Sequence, residues 1–196
     1  MRKRTPTTEP QISWSWQLKI QLLDVAPTVW RRIIVPETIK LPKLHQVFQV
    51  ALGWTNSHLH EFIIGGVRYA NTDPEIGDEL EQVDEKRVVL FKALGIDARC
   101  FDYVYDFGDD WHHAIILEAR HPHSGVAPSL IHCSGGANAC PPEDLGGPRG
   151  YAEFLAGLAD ENHPEHDRYL EWRGGGFDPK RFDLDKTNLT LSKIKT

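Results

Sequence analysis

Two extended segments near the start of the chain are separated by a short connection, and this pair constrains the fold more than any other feature. Over residues 14–22 apolar side chains occupy alternate positions with polar ones between them, as in a strand with one buried and one wet face. A second extended segment, residues 29–35, ends at Pro36. Parallel strands need a crossover of about a dozen residues or more, so this short connection predicts an antiparallel pair.

The sequence predicts two further antiparallel pairs. Segment 59–70 is interrupted by Gly65-Gly66, and two residues that both tolerate positive φ are typical of a tight hairpin turn. Segment 101–118 alternates in the same way on either side of the loop 108–110, which contains glycine and aspartate. Both segments are therefore expected in a largely antiparallel sheet.

Helical spacing of apolar residues predicts an amphipathic helix over residues 42–52. Pro42 suits a first helical turn, and Gly53 suits the end of the helix. Further helices are expected over residues 151–159, after Pro164, and in a C-terminal segment that Asp178 would cap.

The remaining segments are less regular. Residues 73–87 are charged and predict a loop, residues 88–94 fit either a strand or a short helix, and residues 121–150 are rich in proline, glycine and serine. Strands that come first and helices that come later predict an α+β fold, with antiparallel strands and covering helices. We expect a single compact domain over residues 13–196, preceded by a disordered basic tail at residues 1–12.

Composition narrows the classes of function. The chain has no apolar run long enough for a membrane span and no secretory signal after its basic start, so a cytoplasmic protein is expected. Three cysteines, an odd number, also favour a reducing compartment. The net charge of -6 argues against tight nonspecific binding to nucleic acid, because such binding requires a surplus of Lys and Arg.

Two dense polar blocks are the most distinctive local features. They are the segments YDFGDDWHH at 105–113 and CPPEDLGG at 140–147. With HLHEF at 58–62, and with FDP at 177–179 followed by FDL at 182–184, they resemble the plasmid pRiA4b ORF-three-like family. This family occurs in bacteria and archaea, on chromosomes and on plasmids and other mobile elements. The resemblance covers about residues 14–190 and implies an architecture but no established activity.

Histidines and carboxylates in the segment HLHEF and in the first polar block suggest a functional site. His58 and His60 are two residues apart on a predicted strand, so their side chains share a face and can converge on one metal ion. The same alternation places Trp111 and His113 on one face and His112 on the other. The predicted cleft therefore consists of His58, His60, Asp106, Asp109, Asp110, Trp111 and His113.

The possible zinc ligands in this cleft are His58, His60 and His113. The alternatives are structural. His58 and His60 can be ordinary polar residues with hydrogen-bond partners, and Asp109 and Asp110 can cap free N–H groups of the hairpin loop. A second possible zinc site is His132, Cys133 and Cys140, although buried thiols beside a structural loop explain the two cysteines equally well.

Two classes of function remain. The first is a non-catalytic accessory or binding module for a peptide, a small ligand or a partner protein. The alternative is a metal-dependent, hydrolase-like enzyme with a His/Asp site, linked to mobile-element biology. The binding module is preferred because no motif fixes a nucleophile, a base and a stabilising group together, so no catalytic residue is assigned.

Overall fold

A sheet of eight strands forms the body of the part of the protein that the computed structural model describes, residues 12–72, 82–95, 98–124 and 131–194. The strand order is β5-β4-β3-β6-β7-β1-β2-β8, and neighbouring strands are antiparallel except for β4 and β5. The strands are β1 (Ile12–Leu22), β2 (Trp30–Pro36), β3 (His60–Ile64), β4 (Val67–Ala70), β5 (Val83–Asp84), β6 (Cys100–Tyr105), β7 (Trp111–Ser124) and β8 (His132–Ala137). The predicted α+β fold and single compact domain are confirmed.

Helices cover the inner face of this sheet. They are α1 (Leu41–Leu52), α2 (Leu90–Leu94), α3 (Gly147–Ala159), α4 (His166–Arg173) and α5 (Leu184–Leu191), with a 3-10 turn at Glu85–Arg87. Helix α1 turns Leu44, Val47 and Phe48 into the core, where each is fully buried. Each such side chain contributes about 1.5–3 kcal/mol when it leaves water. No helix in the described ranges is long and apolar enough to cross a membrane.

The outer face of the sheet is polar. Glu118 of β7 accepts hydrogen bonds from Gln17 of β1 and from Arg32 of β2, so these three neighbouring strands are linked across the wet face. Arg31 of β2 points inward and is buried. The adjacent Arg32 points outward, where it pairs with Glu118.

Most predicted elements are present, and the differences have local causes. The turn at Gly65-Gly66 has positive φ at both residues, as predicted. Strand β8 was not expected because its sequence, HCSGGA, has no alternating apolar pattern. One of its glycines, Gly136, is required by packing, since a Cβ there would lie 2.7 Å from the ring of Phe182. Helix α5 begins five residues after the expected position, because the residue whose side chain caps it is Asp183.

Three other expectations need comment. Asp178 does not cap a helix, because its side chain accepts a hydrogen bond from the Lys180 backbone in a turn. The predicted loop 73–87 contains β5 and the 3-10 turn in its described part, and residues 73–81 lie outside the described ranges. The predicted tail 1–12 also lies outside them, except that Ile12 begins β1.

Candidate functional site

A polar pocket of about 260 Å³ opens at one end of the sheet, beside the start of β3. We call it the histidine pocket, because three histidines contribute to its wall. The lining residues are Pro42, His45, Gln46, Asn56, His58, Leu59, His60, Ala70, Asn71, Gln82, Glu85 and Phe107. They come from α1, the loop before β3, strand β3, the end of β4, the 3-10 turn and the β6–β7 loop.

Two stacked histidine rings form the floor of the pocket. The rings of His45 on α1 and His60 on β3 have centroids 3.5 Å apart and are nearly parallel, at 3°. Alternation along β3 turns His60 to the same inner face as Phe62, where α1 packs. The stack therefore joins the helix layer to the sheet at the pocket.

A chain of hydrogen bonds fixes the tautomer of His45. The backbone N–H of Asn56 donates to Gln49 Oε1 (2.9 Å), which turns Gln49 Nε2 towards the Tyr103 hydroxyl (3.0 Å). Tyr103 then donates to His45 Nδ1 at 2.7 Å, and His45 Nε2–H donates to Asn56 Oδ1 at 2.5 Å. Burial, with a smaller effect of neighbouring His60, lowers the pKa of His45 to about 4, so the ring is neutral at pH 7.

Glu85 is the buried charge of the pocket. It is 3% exposed, and both carboxylate oxygens lie close to His60 Nε2, at 3.1 and 3.2 Å. Among the described residues, His60 is its sole ion-pair partner. Buried carboxylates are normally paired with a permanent positive charge, so this arrangement leaves Glu85 poorly compensated.

A second group of polar atoms lies next to His58. The Nε2 atom of His58 is 3.1 Å from Asp144 Oδ1 and 3.5 Å from Asp106 Oδ2. The three ligand atoms lie within 4.8 Å of one another, and this is the one group of three His, Cys, Asp or Glu ligands that the described ranges contain. We call these three residues the His58 cluster.

The two polar blocks of the sequence hold each other in place. The carboxylate of Asp109 accepts hydrogen bonds from the backbone N–H groups of Leu145 and Gly146. Tyr105 donates to Glu143 at 2.5 Å, and burial together with this hydrogen bond raises the pKa of Tyr105 well above its usual range. Asp109 thus caps N–H groups of the other block, whereas Asp110 pairs with exposed His112.

A glycine at the start of α3 allows the blocks to approach closely. Gly147 has φ of +71°, and a Cβ there would lie 2.3 Å from the backbone oxygen of Asp109. Neither the backbone conformation nor the distance tolerates a side chain.

The structure places His113 and Trp111 in the core. As predicted, these two side chains share a face while His112 lies on the other, but both are fully buried. His113 donates from Nδ1 to the Tyr103 carbonyl at 3.1 Å, and the ring of Trp54 covers it at 5.2 Å. The structure does not bring His58, His60 and His113 together as a metal triad, because His113 lies beneath Trp54 rather than at the pocket.

The second possible zinc triad is not assembled either. His132, Cys133 and Cys140 are all described, yet they do not form a group of converging ligands. The Cys133 thiol donates to the Gly135 carbonyl, and burial raises the pKa values of both thiols. Raised pKa values disfavour the thiolate form that binds metal.

Buried Arg31 organises the surroundings of these thiols. Its guanidinium donates to backbone carbonyls of Trp30, Ala51, Ala137 and Asn138 and lies 4.0 Å from the Phe182 ring. Its acceptors are neutral, so burial lowers the pKa of Arg31.

Sequence reasoning missed four residues of the site: His45, Asn56, Glu85 and Asp144. A signal existed for the first of them, because His45 and Gln49 are four residues apart on a predicted helix and interrupt its apolar side. Glu85 lies in a charged segment with no strand pattern, and Asp144 lies in the second polar block, which has no strand or helix pattern either. Their contacts depend on tertiary structure, which local patterns do not contain.

The fold and site define an α+β protein with a helix-covered antiparallel sheet and a polar pocket at one end. The family model for "Plasmid pRiA4b ORF-3-like protein" matches residues 15–186, and the chain belongs to this family.

Two relatives support this assignment. Over 180 residues the chain is 47% identical to "Uncharacterized protein y4hQ" of Sinorhizobium fredii (strain NBRC 101917 / NGR234), which covers 91% of this chain and 87% of that protein. The crystal structure of the protein of unknown function MM3350 from Methanosarcina mazei Go1 has a TM-score of 0.79 and 31% identity. The match covers 89% of this chain and 98% of that one.

Proposed function

We propose that the protein is a non-catalytic binding module whose histidine pocket takes a small organic cation, an amine or a guanidine. The observation that carries this proposal is Glu85, a carboxylate that is 3% exposed beside the pocket and has a histidine as its described ion-pair partner. A ligand cation would supply the permanent positive charge that Glu85 lacks. At close range such a pair is worth about 4 kcal/mol in a protein environment of intermediate dielectric constant, before desolvation costs.

The rest of the lining agrees with a cationic ligand. None of the twelve described lining residues is Lys or Arg, so that wall carries no permanent positive charge. Phe107, at the β6–β7 loop, is 45% exposed and adds an aromatic ring, which attracts cations through its π-system. Gln46, Asn71 and Gln82 add side-chain amides, and amide oxygens accept hydrogen bonds from ammonium or guanidinium groups.

Binding is favoured over catalysis by the same lining. It contains no Ser, Thr, Cys or Lys that could serve as a nucleophile. His45 is tied into a closed hydrogen-bond chain at both ring nitrogens, which favours a rigid wall over a proton-transfer group. A metal-dependent hydrolase is the less favoured alternative.

The test uses propylamine and propylguanidine as cationic probes and propionate and propionamide as matched anionic and neutral probes. Titrations of the protein treated with a chelator, followed by ¹H–¹⁵N NMR, should show saturable shifts of pocket residues with the cations only. Glu85→Gln keeps the size of the side chain and removes its charge. We expect it to weaken cation binding by at least about tenfold, or about 1.4 kcal/mol.

A matched control comes from the opposite face of the sheet. Glu118 of β7 lies there, and its charge is compensated by Arg32, which donates two hydrogen bonds to it. Glu118→Gln should leave probe binding unchanged. Titrations with N-acetyl-lysine methylamide and N-acetyl-arginine methylamide then test whether the cation can belong to a peptide. Preference for propionate, or equal cation binding by Glu85→Gln, would refute the proposal.

A further inference from the structure

We infer that the His58 cluster, formed by His58, Asp106 and Asp144, binds a divalent transition-metal ion. The inference does not depend on the organic ligand proposed above, since a different group of atoms carries it. It replaces the predicted partners of His58, namely His60 and His113, with two carboxylates that come from the two polar blocks.

The spacing of the ligand atoms is close to that of two ligands of one ion. Two bonds of about 2.0–2.2 Å that meet at a tetrahedral angle place their ligand atoms about 3.3–3.5 Å apart. Of the two distances from His58 Nε2, the 3.5 Å to Asp106 lies at the upper end of this range and the 3.1 Å to Asp144 lies just below it. Each pair among the three ligand atoms, including the two carboxylate oxygens, lies within 4.8 Å.

The orientation of His58 is an independent indication. Its Nε2 atom is buried and makes no hydrogen bond, although two carboxylates lie within ion-pair distance. A protonated imidazole between two carboxylates would be expected to align its N–H with one of them. A ring nitrogen that lies close to two carboxylates without a hydrogen bond to either is left available as a metal ligand.

The carboxylate of Asp106 is also held in one orientation. The residue is 8% exposed, and its Oδ1 accepts hydrogen bonds from the backbone N–H groups of Gly108 and Asp109. Its other oxygen, Oδ2, is therefore held towards His58. Such supporting hydrogen bonds orient ligating carboxylates in metal sites, and their loss typically costs about 10–100-fold in metal affinity.

The position of Asp144 is set by the other polar block. Asp109 binds the backbone just after it, at Leu145 and Gly146, and Glu143 just before it accepts from Tyr105. The side chain of Asp144 itself is 71% exposed. The ion would thus be reached from solvent, and its remaining coordination positions would be open to water.

One imidazole and two carboxylates favour a borderline metal. Imidazole suits zinc and iron, whereas sites for magnesium use oxygen ligands and retain several waters. For a site of this type Zn²⁺ should bind more tightly than Mn²⁺. We therefore expect zinc binding and no competition from millimolar Mg²⁺.

The experiment is calorimetric titration of the full chain, stripped with a chelator, with Zn²⁺ alone. Wild-type protein should bind one ion per chain at this site, with micromolar or tighter affinity. His58→Gln and Asp144→Asn should each weaken that binding by at least about tenfold. His112→Gln is the matched control, because His112 also contacts a carboxylate, Asp110 at 2.9 Å, but lies outside the cluster.

Two further readouts make the test specific to the site. The ¹⁵N resonance of His58 Nε2 should move on addition of zinc while that of His112 does not, which distinguishes this site from binding by other histidines. Circular dichroism shows whether each variant is folded, and Asp144→Asn, at an exposed side chain, is the variant least prone to unfold. Absence of stoichiometric zinc in the wild type, or equal affinity in the two cluster variants, would overturn the inference.

Discussion

His113 and His60 lie on the same inner face of one sheet, but their surroundings differ. His113 is covered by Trp54, whose indole N–H donates to the Pro141 carbonyl and so attaches this cover to the second polar block. His60 lies where α1 begins, and its neighbours leave an open pocket. A histidine on the buried face of a strand therefore acquires its role from the element above it, and strand alternation alone does not distinguish core from site.

The largest expected effect belongs to the covered region. His113→Ala removes a fully buried ring and its hydrogen bond to Tyr103, so we expect a loss of about 2–4 kcal/mol in the free energy of unfolding. Urea denaturation at pH 7 measures it. Binding of zinc and of propylamine by the folded variant should be unchanged. Loss of binding without loss of stability would show that His113 belongs to the binding site and not to the core.

An acid titration sharpens the comparison with an intermediate effect. Burial lowers the pKa of His113 to about 3 and that of His45 to about 4, whereas an unfolded histidine titrates near 6.5. As pH falls below about 6.5, these histidines become protonated in the unfolded chain but stay neutral in the native protein. The free energy of unfolding therefore decreases. Each histidine contributes about 1.4 kcal/mol for each pH unit down to its folded pKa.

Urea denaturation at pH 7, 6 and 5 tests this sign and its source. His113→Gln should be less stable at pH 7 but should lose less stability on acidification than the wild type. Carboxylates titrate in both proteins, so their contribution cancels in the difference. Parallel pH profiles for the two proteins would show that His113 is not a source of the acid sensitivity.

The smallest effect is expected at the adjacent residue. His112 lies on the wet face and pairs with exposed Asp110, and such surface pairs contribute about 0–1 kcal/mol. His112→Ala should change the free energy of unfolding by no more than about 0.5 kcal/mol and should leave zinc and amine binding intact. A loss comparable to that of His113→Ala would mean that burial does not separate the two neighbours.

Much of the fold could be predicted because its signals are local. Alternation in β1, β2, β6 and β7, the glycine pair between β3 and β4, and the apolar stripe of α1 each specify an element without knowledge of the rest. Strand β8 lacked such a signal because two of its residues are glycines, and one of them, Gly136, packs closely against Phe182 and Arg31.

The site could be predicted only in part, because its members come from distant segments. His58, His60 and Asp106 were expected near one another, and the structure places all three at or beside the pocket. Glu85 and Asp144 reach the same place through the 3-10 turn and the second polar block. Neither segment has a periodicity from which the direction of its side chains could be predicted.

The sheet order has a consequence for how the protein folds. Strands β1 and β2 are close in sequence, and so are β3 and β4 and β6 and β7, but the two halves meet where β1 pairs with β7, from Ile12 opposite Ser124 to Leu22 opposite His113. This pairing joins segments about 100 residues apart, and contacts between distant segments slow the search for the native state. Strands β2 and β8 are as far apart in sequence. We expect hairpins to form first and the β1–β7 and β2–β8 pairings to close last, so a newly made chain exposes unpaired strand edges until β7 and β8 have been added.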